Sequence, residues 1–127
     1  MTVALSTESR TTLAAALTGH GYKVYATAPA IPVAPSIVIV PDSPWITPER
    51  IGSTLNYRVR WRLLVVISPR KNDAASLDTE TAVDVILGLI PKGYNVDQVG
   101  APALTDLGAQ GTVITTEINV QAHMKEN

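Results

Sequence analysis

The sequence predicts a single small domain of mixed α/β class, with elements in the order α-β-β-β-α-β-β. Three observations carry this. Two stretches, Leu55–Ser68 and Thr112–Met124, alternate apolar and polar side chains with the period of two that marks a strand with one buried face. Two other stretches carry apolar residues at helical spacing and end in glycine. The 127 residues suffice for one core, and 46% hydrophobic with 17% charged residues suits a globular domain over residues 1–127.

The first helix is expected over residues 3–18, with a start as early as Thr2 and Ser6 available as a cap from within. Leu13, Ala14 and Leu17 form its apolar stripe, extended by Val3 and Ala4, and Gly19 and Gly21 stop it. Gly19-His20-Gly21 follows a helix, so it is not the dinucleotide fingerprint, which follows a strand and opens a helix. Tyr22–Ala28 reads as a short strand and Pro29–Pro35 as a stiff extended link. Ser36–Val40 (SIVIV) has no polar face after Ser36, which predicts a central strand covered on both sides.

Asp42–Thr54 reads as a long connection, because two prolines and a glycine oppose regular structure. It contains Trp45, Ile46 and Ile51. Trp45 either folds back over the core or anchors a partner, as tryptophans do at binding hot spots.

Leu55–Ser68 comes next. Its odd positions Leu55, Tyr57, Val59, Trp61, Leu63, Val65 and Ile67 are apolar or aromatic; its even positions present Arg58, Arg60 and Arg62, then Leu64 and Val66. Fully extended, it spans roughly 46 Å at about 3.3 Å per residue. A compact chain of this length is roughly 36 Å across. The strand is therefore expected to bend at a bulge or to project.

Pro69-Arg70-Lys71 reads as a turn, and Asn72 or Asp73 caps a second helix over Ala74–Ile90. Leu77, Thr81, Val85 and Leu89 are expected to line its buried face beside Ala82 and Ile86, with Asp78, Glu80 and Asp84 opposite. Glu80 and Asp84 lie one turn apart without a basic neighbour and repel by about 0.2–0.5 kcal/mol. Tyr94–Asp106 reads as a strand or broken strand, weakened by Gly100 and Pro102. Gly108–Gly111 turns the chain into the last strand, with Ile114, Ile118, Val120, Ala122 and Met124 on its buried side.

The residues offer little chemistry. The chain has no cysteine, which excludes disulfides, thiolate metal sites and cysteine nucleophiles. His20 and His123 have no metal-ligand spacing, and there is no GxSxG elbow or phosphate loop. Glu80 and Asp84 read as a solvated face rather than an acid/base pair. The N-terminus lacks the pattern of a secretory signal, and prolines 29, 32, 35 and 41 interrupt the longest uncharged stretch, so no membrane segment is expected. A net charge of −1 gives no broad pull toward nucleic acid. Single-strand binders also place bases on aromatic platforms beside cations. Here Tyr57 and Trp61 face away from Arg58, Arg60 and Arg62. The arginine stripe is therefore either a solvated sheet surface or a protein interface, and its apolar continuation at Leu64 and Val66 favours partial cover.

The order of these segments resembles a known family. A helix ends in GYKVY, a Pro-rich link leads to SIVIVP, and the DSPWITP loop follows. Then come the arginine strand, PRKNDAASLD opening the second helix, and a final β-hairpin. This layout resembles the tail terminator (tail-completion) proteins of long-tailed siphophages, especially those of actinobacterial phages. The resemblance covers nearly the whole chain and rests on layout rather than on an invariant motif. It implies an α+β fold: a mainly antiparallel sheet of about four to five strands with two helices packed on it. It also implies a structural virion protein, not an enzyme, with no cofactor and no metal. Such a protein assembles in the bacterial host cytoplasm as a homohexameric ring at the head-proximal end of the tail. There it caps the tail tube protein, ends tube growth and joins the tail to a head–neck connector protein. A head–tail connector or neck adaptor is the nearest alternative, and a small ligand- or nucleic-acid-binding domain the alternative of another class. The resemblance transfers no functional residue. The residue pattern nominates Trp45, Ile46, Arg58, Arg60, Arg62, Glu80 and Asp84 as interface candidates. The acidic helix face of one copy is paired with the arginine stripe of the next, and Arg58 or Arg60 with Glu117 is the competing contact within one chain.

Overall fold

The computed structural model describes residues 5–27, 35–51, 54–68, 72–106 and 112–125. Two helices pack on one side of a six-stranded mixed sheet, an α+β fold. The elements are α1 (Leu5–Leu17), β1 (Lys23–Tyr25), β2 (Ser36–Ile51), β3 (Thr54–Ile67), α2 (Asn72–Leu89), β4 (Tyr94–Val99), β5 (Ala103–Asp106) and β6 (Thr112–Lys125). The sheet order is β1-β2-β3-β6-β4, with β5 beside β4 on the outer flank of β6. Only β1–β2 is parallel. The expected four to five strands are six because Gly100 and Pro102 split Tyr94–Asp106 into β4 and β5.

The register separates the two faces. Val59, Trp61, Leu63 and Val65 stand opposite Ala122, Val120, Ile118 and Thr116, all on the helix side. Leu13 and Leu17 of α1 and Ala82 and Ile86 of α2 close over them, and these side chains are fully buried. Each large one contributes about 1.5–3 kcal/mol of transfer free energy. Ser9, also fully buried, ties the layers together. Its hydroxyl accepts from Trp61 Nε1 at 2.9 Å and donates to the Ser6 carbonyl at 2.8 Å. Its own carbonyl accepts the Tyr94 hydroxyl. Burial, with a smaller push from Glu8 and an opposing hydrogen bond from Thr12, raises the Tyr94 pKa to about 12. The C-terminal end of α1 is shaped as expected. Gly19 and Gly21 both adopt φ of 90°, a conformation that costs side-chain-bearing residues dearly.

Several expectations need correction. The stretch from Asp42 is not a loop, because β2 runs on through it to Ile51. The pairing with β3 skips only between Pro41, opposite Trp61, and Ile46, opposite Val59. Four residues, 42–45, thus bulge outward against the single residue Arg60, with a cis bond at Ser43-Pro44. The bulge sought in the long strand lies in its neighbour, and β3 itself keeps unbroken register with β6 from Asn56 to Ile67. β1 is shorter than Tyr22–Ala28. The buried stripe of α2 is Thr79, Ala82 and Ile86, with Asp78 partly buried; Thr81 and Val85 are exposed. Ala82, Ile86 and, partly buried, Leu89 pack into the core as expected, whereas Val85 does not. Thr2, Val3 and Ala4, most of Pro29–Pro35, the Pro69–Lys71 turn and Gly108–Gly111 lie outside the described residues, as do the side chains of Leu55 and Leu77.

Candidate interaction surface

Strand alternation puts Arg58, Arg60 and Arg62 in line on the sheet face turned away from both helices. Across β6 they stand opposite His123, Gln121 and Asn119, and on the β2 side Arg58 and Arg62 stand opposite Thr47 and Val40. Arg60 Nη1 lies 3.6 Å from Asp97 Oδ2, and Arg62 Nη1 lies 3.8 Å from Glu117 Oε1. With side-chain exposures of 28–48%, such pairs contribute about 0–1 kcal/mol each. The local contact expected for Glu117 was with Arg58 or Arg60. The register gives it to Arg62 instead, because Glu117 sits opposite Leu64, one diagonal step away.

Two carboxylates missed in the sequence complete this face. Asp97 sits at the irregularity between Val96 and Gln98, on the arginine face that Asn95, opposite Gln121, already shares by alternation. Besides Arg60 it accepts Gln121 Nε2 at 2.7 Å. Asp42 opens the β2 bulge, accepts Asn119 Nδ2 at 2.7 Å and holds the Ser43 amide at 2.8 Å. The only advance signal for either was an acid beside a strand-breaking stretch. Arg58, Asn95, Gln121 and His123 line a polar recess of about 380 Å³. At the other end the face turns apolar as expected, with Val38, Val66 and Val113 buried and Leu64 partly so.

Trp45 and Ile46 lie on the opposite, helix side of the sheet. The Trp45 ring meets Trp61 edge-on, with centroids 6.0 Å apart at 67°. The Arg10 guanidinium sits 5.7 Å from the same Trp61 ring. Trp45 thus folds back on the core yet remains 40% exposed, while Ile46 packs partly buried against the core. Glu80 and Asp84 are exposed on α2 and form no ion pair among the described residues. They belong to the helix layer, so within one chain they do not reach the arginine stripe. The nominated residues therefore fall on three surfaces.

Among the described residues no group of three or more His, Asp or Glu side chains is arranged to hold a metal ion, and no helix is long and apolar enough to cross a membrane. Compared with known proteins, the chain matches no family model, and no curated sequence is similar to it.

Proposed function

We propose that this chain is a structural phage protein that caps the tail tube, ends its polymerisation and forms a ring joining the tail to the head–neck proteins. The observation that carries this reading is the layout of GYKVY, SIVIVP, DSPWITP, the arginine strand and PRKNDAASLD, which resembles that of siphophage tail terminators. An α+β domain with helices on one side of its sheet is compatible with the fold the resemblance implies. A sheet face presenting three arginines beside Asp97 and Glu117 suits docking to a protein surface, since the planar guanidinium fork matches carboxylates on a partner.

The acid–arginine pairing across copies belongs to this proposal. Glu80 and Asp84 lie in the helix layer and the arginines on the far side of the sheet, so their pairing requires two copies stacked face to back. Arg60 and Arg62 already have partners within the chain. If charge reversal at either leaves assembly unchanged, that contact is not the one that builds the ring.

The deciding experiment adds the purified protein to growing tail tubes and follows tube length by electron microscopy. A terminator halts growth and leaves a ring of density at one end. Tubes that keep lengthening without end density sink the proposal. Binding only to tails that another protein has already capped transfers the chain to the neck-connector class.

A further inference from the structure

We infer that a recess at one corner of the helix side binds a protonated alkyl amine, with the ammonium at Asp78 and the alkyl stem against Tyr22, Pro35 and Ile67. This goes beyond the tail-tube reading and does not depend on it. The recess holds about 360 Å³, at the small end of the range of ligand sites, and is lined by Tyr22, Pro35, Ile67, Ser68, Asp78 and Thr81.

The strand register builds this corner. Lys23 stands beside Ser36 and Ser36 beside Val66, so Tyr22, Pro35 and Ile67 come together at one end of β1, β2 and β3. The Lys23 amide donates to the Pro35 carbonyl at 3.1 Å and ties the first two segments to each other. Alternation turns Ile67 to the helix side, where it is buried in the core, and Tyr22 packs partly buried against that core. α2 supplies the other wall, with Asp78 partly buried and Thr81 exposed three residues further on.

The lining selects a cation with an apolar body. Asp78 is its acidic side chain and Tyr22 its aromatic wall. Burial, and after it the charge of Asp78, raises the Tyr22 pKa, so the phenol keeps its proton. α2 carries the acids Asp73, Asp78, Glu80 and Asp84 and no lysine or arginine, so its field favours a cation and opposes a carboxylate or phosphate. Lys23 does not offset it, because alternation puts that side chain on the other face, with Nζ 5.6 Å from the Tyr25 ring. Asp78 interacts within the chain, and a carboxylate has acceptor sites for several donors, so an ammonium adds a contact without displacing one. A neutral apolar guest gains nothing from Asp78, and an inorganic cation leaves the Ile67 and Pro35 walls unfilled. A primary alkyl amine uses both, and a free amine and a lysine side chain share that chemistry.

The test titrates the full chain, labelled with nitrogen-15, and follows its amide resonances by NMR. The probes are Nα-acetyl-lysine amide, its uncharged analogue Nα-acetyl-norleucine amide, and butylamine. The lysine derivative is expected to shift Ser68, Asp78 and Thr81 saturably. The norleucine derivative should bind roughly tenfold more weakly or worse, since it lacks the charge-assisted contact. Asp78→Asn should weaken the lysine derivative by about the same factor. Thr81→Phe, at an exposed position, should abolish binding by filling the mouth of the recess, and urea midpoints establish that both variants fold. Butylamine binding as tightly as the lysine derivative assigns the site to free amines; tighter binding of the lysine derivative assigns it to a lysine side chain. Three results overturn the inference: equal binding of the norleucine derivative, shifts centred on Glu80 and Asp84 that Thr81→Phe leaves intact, or no saturable shift with any probe. Tube capping is measured separately, so failure here leaves the tail-tube reading standing.

Discussion

Replacing Ser9 by alanine tests whether one buried hydroxyl holds the helix layer to the sheet. Ser9 and Trp61 are both fully buried, and the Ser9 hydroxyl accepts the indole N–H at 2.9 Å. The substitution leaves that donor enclosed without a partner, at a cost of about 1–3 kcal/mol. Alanine returns up to about 0.5 kcal/mol through its higher helix propensity. The hydroxyl's second bond, to the Ser6 carbonyl, is local and exchangeable with the helix's own donors. A net loss of about 0.5–2.5 kcal/mol follows, which lowers the melting temperature by roughly 2–12 °C for a domain of this size. The assay is urea unfolding followed by far-ultraviolet circular dichroism, at one protein concentration because assembly shifts apparent stability. Trp61→Phe and the double variant complete a cycle. Since phenylalanine leaves no donor to satisfy, Ser9→Ala should cost about 1 kcal/mol or more less in that background. A Ser9→Ala effect under about 0.3 kcal/mol, or strict additivity in the cycle, refutes the reasoning.

Three other outcomes follow from the same geometry. Tyr94 is an acid whose pKa is raised from 10.0 to about 12 in the fold, so its contribution is complete below pH 10 and is lost as pH climbs toward 12. Two units amount to about 2.7 kcal/mol, reduced to roughly 1–1.5 kcal/mol by the solvent that still reaches the ring. Tyr94→Phe should flatten that alkaline decline in a pH series of denaturation curves. Arg62→Ala and Glu117→Ala should each change stability by less than about 0.5 kcal/mol, because the pair is half exposed and 3.8 Å apart; urea midpoints check this. Gly93 adopts φ of 91° with open space where a Cβ would stand, so Gly93→Ala should cost about 1 kcal/mol through backbone conformation alone. The denaturation midpoint measures it, and a much larger loss would point to a clash instead.

What was legible in the sequence was whatever one buried face imposes. β3 and β6 have one face against the helices, so their period of two is intact, and Val59 through Val65 fall where alternation puts them. α1 was legible because Leu13 and Leu17 repeat at one turn and two glycines follow. The continuation of β2 was not. Prolines 41, 44 and 48 signal a breaker, but on a strand with an open outer edge a missing N–H costs nothing when it faces outward. The roll of α2 was misjudged for a related reason. Hydrophobicity favours Val85 as a core residue, whereas the α2 side chains that enter the core are Ala82 and Ile86, with Leu89 packed against them. Of the candidate surface, the arginine line could be read from spacing alone. Its partners could not, because they follow from which strands pair: alternation puts Asp42 beside Val40 and Asp97 beside Asn95 on the arginine face only once β2 runs past Pro41 and β4 is laid against β6.

The bulge at residues 42–45 joins these threads. A two-residue offset would have kept alternation and buried the same face throughout. Four residues against one let Pro41 and Ile46, five positions apart, both face the helices. Within that offset the chain presents Asp42 to the arginine face, where it holds Asn119, and Trp45 to the helix side, where it rests on Trp61. The same excursion interrupts the outer edge of β2 and so guards it against open-ended sheet growth. Side-chain contact is then the mode left to that edge.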